Sequence, residues 1–416
     1  MSPTSRNLDT DQPTSASGSA VAELVSPADL LISLTAVSPE AFEATLANVA
    51  QAFSAPDADG DVVVATPDAG YPIPPEGSLG KVRVVTYTPA VPAVSGLFLT
   101  ATDYLNTFKM AEEQKAGACL LLGPESQSLS PALVNDLAAA VLHSSADLVV
   151  PRYHLGPHEG LVNSAILYPV TRALYGAGAR FPLAIDVGLS TRMAEHLAMV
   201  AQRFTAAGQT DAIVWPVAEA VAANFKVTEI DAGPRSLPQP SSSDVNALLA
   251  EIAGSFFADI EAKANIWQRI RPLTSAPPIP QPAQSVESLP DVTPMLEAFR
   301  VAYTNLQEIW ALVLPPNSLL GLKHLSLMPP ASFRMSDELW TRIVYDFILA
   351  YRLRTINRGH LLGALTSLYL GWVASHIILS TAGTPPEQHI QAQAATFESD
   401  KAYLVSRWRW PDRFNP

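Results

Sequence analysis

The sequence predicts an α/β protein, in which a mostly parallel sheet with helices on both faces is followed by a helical C-terminal region. Short continuous apolar runs alternate with helical segments over the first part of the chain. Runs without polar alternation are typical of strands buried on both faces of a parallel sheet. A Pro-rich stretch then interrupts the chain, and the pattern beyond it, over residues 295–379, is helical.

Six short segments, most of them apolar and rich in Val, Ile or Leu, predict the strands. They are residues 29–37, 61–66, 81–87, 118–122, 147–150 and 226–230. The first helix is well marked, because Ser38 suits the N-cap and Pro39 the first helical position, and the helix is expected to end at Phe53. The other helices predicted before the Pro-rich stretch are residues 103–115, 131–143, 161–175, 191–206, 212–223 and 244–270.

The same pattern divides the chain into four parts. Residues 1–25 are polar and contain no apolar signal core, which predicts a disordered tail. An α/β domain over residues 26–271, a Pro-rich linker over 272–294 and a helical domain over 295–416 follow. Residues 361–379 have no Asp, Glu, Lys or Arg and approach the length of a membrane span. Their Thr, Ser and His side chains favour a buried helix over that alternative.

Composition narrows the classes of function. The chain has 416 residues, 48% of them hydrophobic, which is enough for a large interior. Its net charge of −13 disfavours general nucleic-acid binding, because an acidic surface repels phosphate. The single cysteine, Cys119, can form no intramolecular disulfide and no cysteine-based metal site. We therefore expect a cytoplasmic protein with a small-molecule partner.

Candidate binding residues follow the predicted strands, because ligands of open parallel sheets gather at the carboxyl ends of the strands. Ser33 lies near the end of the first strand and Asp68 directly after the second. Gly123-Pro124-Glu125 follows the fourth. Asp68 can accept a hydrogen bond from a base or a ribose hydroxyl, or it can shape the turn before Gly70, and the sequence favours neither.

One segment of the chain carries a family resemblance. Its matching positions are Pro151, Tyr153, Gly160, Asn163, Tyr168 to Gly176 (YPVTRALYG) and Phe181 to Asp186. On these residues the segment from 147 to 190 resembles the middle of the glucosyl-3-phosphoglycerate synthase and mannosylglycerate synthase group, which are GT-A glycosyltransferases. The resemblance implies a GT-A fold and transfer of a hexose from a nucleoside diphosphate sugar to a small hydroxylated acceptor.

The resemblance also implies a divalent cation, Mg²⁺ or Mn²⁺, which offsets the charge that develops on the leaving diphosphate. Relatives hold it with an Asp-x-Asp motif after the fourth strand and with a later His. This chain departs at both places, because it has Gly123-Pro124-Glu125 at the first and Arg235 near the second. It also has Ala184-Ile185 in place of the Gly-Gly before Asp186. Glu125 is therefore a weak metal ligand, and metal dependence is in doubt.

The remaining roles are those that the resemblance implies for matching positions. The residues expected to bind the nucleotide sugar are Ser33, Asp68, Glu125 and Arg235. The two expected catalytic carboxylates are Asp186, facing the sugar or the acceptor, and Asp211, orienting the acceptor. Asn163 and Arg172 are expected on the acceptor side, although Arg172 is equally suited to bridging helices.

Two hypotheses about function remain. In the first, the protein is a hexosyltransferase with a weakly held metal ion or none, and Arg235 grips the diphosphate in place of part of the cation's charge. In the second, the site is degenerate and the protein is a catalytically inactive homologue that serves binding or assembly. In that case the helical domain is the expected contact in a homo- or hetero-oligomer.

Overall fold

The computed structural model describes residues 28–35, 38–54, 60–67, 73–75, 77–89, 96–209, 212–237, 245–271 and 290–411. Four predictions lie wholly or mostly outside these ranges. They concern Asp68, Asp211, the N-terminal tail over residues 1–25, and the Pro-rich linker, of which residues 272–289 are not described.

The described strands form one seven-stranded sheet in the order β3-β2-β1-β4-β6-β5-β7. The strands are β1 (Leu30–Leu34), β2 (Val62–Pro67), β3 (Val82–Tyr87), β4 (Ala118–Leu122), β5 (Leu148–His154), β6 (Asp186–Ser190) and β7 (Val227–Pro234). β6 runs antiparallel to β4 and β5, and the other neighbouring pairs are parallel. The predicted fold class, an α/β protein with a mostly parallel sheet followed by a helical region, is confirmed.

Helices precede, follow and connect the strands, and several of them pack on the sheet. They are α1 (Pro39–Ala52), α2 (Ala101–Gln114), α3 (Pro131–Leu142), α4 (Tyr168–Tyr175), α5 (Thr191–Ala206), α6 (Pro216–Ala222), α7 (Val245–Ala262) and α8 (Ala264–Trp267). The Ser38 hydroxyl caps α1 by accepting a hydrogen bond from Ala41 N at 3.3 Å. A π-helical turn, Asn163–Leu167, precedes α4 within the helix predicted over 161–175. This turn lies beside the carboxyl edge of the sheet and brings Asn163 to the site described below.

Six helices make up the C-terminal region. They are α9 (Thr293–Ala311), α10 (Pro316–Leu327), α11 (Asp337–Leu353), α12 (Arg358–Thr381), α13 (Pro386–Ser399) and α14 (Lys401–Arg409). Their apolar side chains join those of the sheet in one continuous core. Polar contacts also cross the junction, because Trp340 Nε1 donates to Ala165 O at 2.8 Å and Lys401 Nζ donates to Leu174 O at 2.9 Å. The helical region is therefore packed on the α/β part.

Within the described part of the chain, α12 is the one helix long and apolar enough to cross a membrane. In the most apolar 18-residue stretch of this helix, 78% of the residues are buried. It packs against α7 and α9, and Trp310 Nε1 of α9 donates to its Ala364 O at 3.1 Å. Ser375 Oγ accepts a hydrogen bond from Met335 N at 2.9 Å. These contacts are those of a core helix.

Candidate functional site

The backbone closes tightly over the end of β4. Gly123 N donates to Ile185 O at 2.9 Å and to the Asp186 Oδ1 at 3.2 Å, so the pairing with β6 continues past the strand. A Cβ atom on Gly123 would lie 2.3 Å from Ile185 O, which is far inside van der Waals contact. An Asp at this position, as in the Asp-x-Asp motif, therefore cannot be accommodated unless the backbone of β4 or β6 moves.

Asp186, predicted as a catalytic carboxylate, is fully buried. Its Oδ2 accepts hydrogen bonds from Tyr153 OH at 2.8 Å and from Arg235 Nε at 2.9 Å. Its Oδ1 accepts from Arg235 Nη2 at 3.1 Å and from Gly123 N. Burial, followed by the charge of Asp186, raises the pKa of Tyr153 well above its ordinary value, so this hydroxyl stays a donor. Both carboxylate oxygens of Asp186 are thus occupied by hydrogen bonds within the protein.

Arg235, predicted to grip a diphosphate, lies at the centre of the same cluster with a fully buried side chain. Burial lowers its pKa, but the Asp186 carboxylate outweighs burial and the pKa is raised. All of its N–H groups are used within the chain. Their acceptors are both carboxylate oxygens of Asp186, the carbonyl oxygens of Pro124, Glu125 and Ser236, and the hydroxyl oxygen of Ser128. In this conformation, Arg235 has no donor left for a phosphate.

Glu125 lies on the loop that Arg235 holds. Its backbone is left-handed, with φ of +59°, and its carbonyl oxygen accepts from the guanidinium. Its side chain accepts a hydrogen bond from Gln127 Nε2 at 2.7 Å. Among the described residues, no group of three His, Cys, Asp or Glu side chains is arranged to hold a metal ion. One carboxylate beside a buried guanidinium does not fit Mg²⁺ or Mn²⁺, which require several oxygen ligands.

Ser33, predicted to contact the nucleotide, is buried near the end of β1. It lies beside Tyr87, whose pKa is raised to about 12, first by burial and then by the charge of Asp103. Asp103 accepts hydrogen bonds from Thr100 N at 2.7 Å and from the Thr100 hydroxyl at 2.8 Å. Sequence reasoning missed Tyr87, Thr100 and Asp103. Their signal is the Thr-x-x-Asp capping box that begins α2.

Three buried hydroxyls, those of Ser33, Thr35 and Thr107, have no hydrogen-bond partner among the described residues. Thr35 directly follows β1, and its N–H donates to Leu122 O at 3.1 Å, so it sits beside the end of β4. Such hydroxyls are costly to bury unless a ligand or water pairs with them. The carboxyl ends of β1 and β4 therefore hold unmet hydrogen-bonding capacity.

The two residues predicted on the acceptor side have different surroundings. Asn163 Oδ1 accepts a hydrogen bond from Leu183 N at 3.3 Å, and the residue lines a cavity of about 420 Å³ beside Asp186. Arg172 instead joins α4 to α13, because it donates to Gln391 Oε1 at 2.8 Å and to Glu398 Oε2 at 2.8 Å. Arg172 thus bridges helices, which is the alternative that the sequence left open.

Comparison with protein-family models found no matching model, and comparison with curated proteins found no match. Solved structures do match. One is glucosyl-3-phosphoglycerate synthase from Mycobacterium tuberculosis in complex with Mg²⁺ and uridine diphosphate, with 16% identity, a TM-score of 0.35, and coverage of 56% of this chain and 79% of that chain. Its complex with Mn²⁺, UDP-glucose and phosphoglyceric acid gives 16% identity, a TM-score of 0.36, and coverage of 57% and 80%. A further match is described as a mycobacterial protein, with 14% identity, a TM-score of 0.35, and coverage of 57% and 76%. Because these TM-scores are low, the assignment of the fold rests on the order and direction of the strands.

Proposed function

We propose that this protein transfers a hexose from a nucleoside diphosphate sugar to a hydroxylated acceptor, and that it does so without a tightly bound divalent cation. The observation that carries the proposal is the topological switch point of the sheet. Strand order reverses between β1 and β4, and ligands of open α/β sheets bind outside the carboxyl ends of the strands at such a point. Here the point is flanked by Thr35 and by the loop that Arg235 holds.

The residues around the switch point have distinct proposed roles. The buried hydroxyls of Ser33 and Thr35 are placed to hydrogen-bond the nucleoside end of the donor. Arg235 fixes the loop from Gly123 to Ser128, which is the positioning task that a metal ion would otherwise perform. Asp68 and Asp211 keep their proposed roles, contact with the nucleoside and orientation of the acceptor, on the family resemblance.

The absence of a metal ion in this proposal follows from the residues of the site. Gly123 has no room for a side chain, and Asp186 is neutralised by Arg235. A divalent cation placed here would meet the guanidinium, and like charges in a buried site repel strongly. We therefore assign Asp186 a positioning role: it holds Arg235, and Arg235 holds the loop.

A second candidate function is that of a catalytically inactive homologue that binds a nucleotide sugar or assembles with another protein. One observation favours this candidate: all hydrogen-bonding groups of the Asp186–Arg235 pair are already used. Every N–H group of Arg235 and both carboxylate oxygens of Asp186 are hydrogen-bonded within the chain. Departure of a nucleoside diphosphate develops charge that must be stabilised. This cluster has no free donor to supply that stabilisation.

Calorimetric titration with UDP- and GDP-sugars, with Mn²⁺ and with a chelator, tests the proposal. We expect one donor to bind with the same affinity under both conditions, and to be consumed when an acceptor is added. Absence of heat and of any thermal shift with every donor contradicts the transferase function and leaves, of the second candidate, only assembly with another protein. Binding of a donor with no consumption in the presence of acceptors of differing polarity favours the inactive homologue.

A further inference from the structure

A cavity of about 420 Å³ opens next to the Asp186–Arg235 cluster. It lies between the residues that lead into β6, represented by Leu183 and Ile185, and the first turns of α7, represented by Leu248. Ile185 O is also the acceptor for Gly123 N, so the cavity directly adjoins the end of β4. Its volume is in the range of small-molecule sites, about 300–1,000 Å³.

The lining of this cavity is largely apolar and contains no Asp, Glu, Lys or Arg among the described residues, and its polar side chains there are those of Asn163, His158 and Tyr369. Sites for carboxylate or phosphate groups rely on cations, and above all on the fork of an arginine. The neighbouring Arg235 cannot serve, because Asp186 and the loop use all of its donors.

Asn163 is the polar lining residue that lies next to the segment leading to Asp186. Asn163 Oδ1 accepts from Leu183 N, which orients the side-chain amide, and the Nδ2 group makes no hydrogen bond with any residue that the structure describes. An amide N–H₂ is a donor, and it suits a hydroxyl oxygen. The cavity thus combines a large apolar wall with a neutral amide donor, that of Asn163, close to the switch point.

We propose that this cavity binds the acceptor, and that the acceptor is an uncharged alcohol with an apolar body. The inference rests on the proposed transferase function, and it names the substrate class. The alcohol oxygen would accept a hydrogen bond from Asn163 and bond to the anomeric carbon. The bond between that carbon and the diphosphate oxygen breaks, and the hydroxyl proton leaves with the nucleoside diphosphate. Burial of the apolar body supplies the binding free energy.

Direct binding tests the acceptor class without requiring transfer. We expect geraniol, a neutral apolar alcohol, to bind the full chain saturably at one site in calorimetric titration, and 3-phosphoglycerate to give no heat. Binding of 3-phosphoglycerate in place of geraniol overturns the inference. Geraniol binding by a protein that binds no nucleotide sugar supports the cavity but contradicts the transferase function, so the two failures are distinguishable.

Substitutions locate the site. Leu248→Glu places a charge in the cavity wall, and we expect it to weaken geraniol binding at least tenfold. The matched control is Leu320→Glu on α10, because Leu320 is 52% exposed and does not line the cavity. If thermal melting shows that Leu248→Glu does not fold, Leu248→Phe fills the same space and should weaken geraniol binding while the protein stays folded. Unchanged affinity in the folded Leu248 variant overturns the inference.

Discussion

Arg235 and Asp186 form a fully buried ion pair, with Nε to Oδ2 at 2.9 Å and Nη2 to Oδ1 at 3.1 Å. The two residues come from strands on either side of β5, since Asp186 begins β6 and Arg235 directly follows β7. Tyr153 of β5 lies between these strands and completes the contact. The pair ties the loop after β4 to the far side of the sheet, so the geometry of the candidate site depends on it.

We expect Arg235→Ala to destabilise the fold by about 3–5 kcal/mol, because it leaves the Asp186 charge buried without a partner. Chemical denaturation measures the free energy of unfolding. Arg203→Ala is the control, since Arg203 is exposed on α5, and it should change stability by less than about 0.5 kcal/mol.

A double-mutant cycle separates the ion pair from other causes. The double variant Arg235→Ala with Asp186→Ala should lose less stability than the sum of the two single variants, because removal of both charges leaves neither unpaired. Strict additivity would contradict the role assigned to the pair.

We expect Gly123→Asp to create no metal site. The added Cβ would meet Ile185 O at 2.3 Å, so the variant should lose about 1–3 kcal/mol of stability or more through overpacking. Titration with Mn²⁺ should give no heat. Gly363→Ala on α12 is the control, because a Cβ there meets nothing within 4 Å, and it should raise stability by up to about 1 kcal/mol. Tight Mn²⁺ binding by Gly123→Asp would contradict our interpretation of the loop.

Of the parallel strands, β1, β2 and β4 could be predicted because each lies in a nearly continuous apolar run, and that pattern is local. β1, β2, β3 and β4 lie within one or two residues of their predicted ends, except that β1 ends at Leu34, before the predicted 37. β6 was missed because Asp186-Val-Gly-Leu-Ser is short and mixed. It is a strand because it pairs antiparallel with β4, which is distant in the sequence. The contact between Gly123 and Asp186, for example, joins residues that are 63 positions apart. Gly188 permits the close packing of β6 against α3, because a Cβ atom at this residue would lie only 3.0 Å from Val141 Cγ1 of α3.

The candidate site was predictable residue by residue but not as a cluster. Gly123, Glu125, Asp186 and Arg235 were each identified from the sequence as altered or charged positions. Their mutual contacts could not be predicted, because Arg235 reaches Asp186 only through the order of β5, β6 and β7 in the sheet. The same long-range packing turns Arg172 toward Glu398 in α13, where no local pattern indicates a partner.

We expect His376 to make the fold sensitive to acid. Its Nδ1 lies 2.7 Å from His389 Nδ1, and its ring stacks on Trp372. Burial, followed by the neighbouring charges of His389, His158 and Arg180, lowers its pKa from 6.5 to about 3. Because the folded state favours the neutral ring, this contribution to stability is full above pH 6.5 and is lost as the pH falls toward 3.

The measurement is the free energy of unfolding at pH 7 and at pH 4.5 for the wild type and for His376→Asn. The variant should lose less stability between the two values than the wild type does. His143→Asn is the control, because His143 is exposed at the end of α3, and it should leave the pH dependence unchanged. An identical pH dependence in all three proteins would contradict the assignment to His376.

We expect Arg172→Ala to act on stability and not on ligand binding. Arg172 pairs with Glu398 at 2.8 Å within the interface of α4 and α13, and both side chains are largely buried. Its removal leaves Glu398 without its charge partner and should cost about 3–5 kcal/mol. Donor and geraniol affinities of the folded variant, measured by calorimetry below its melting temperature, should equal those of the wild type. Asn163→Ala is the matched comparison, because Asn163 lines the cavity, and it should weaken geraniol binding. The opposite result would be weakened geraniol binding in folded Arg172→Ala and unchanged binding in Asn163→Ala. It would show that Arg172, and not Asn163, contacts the acceptor.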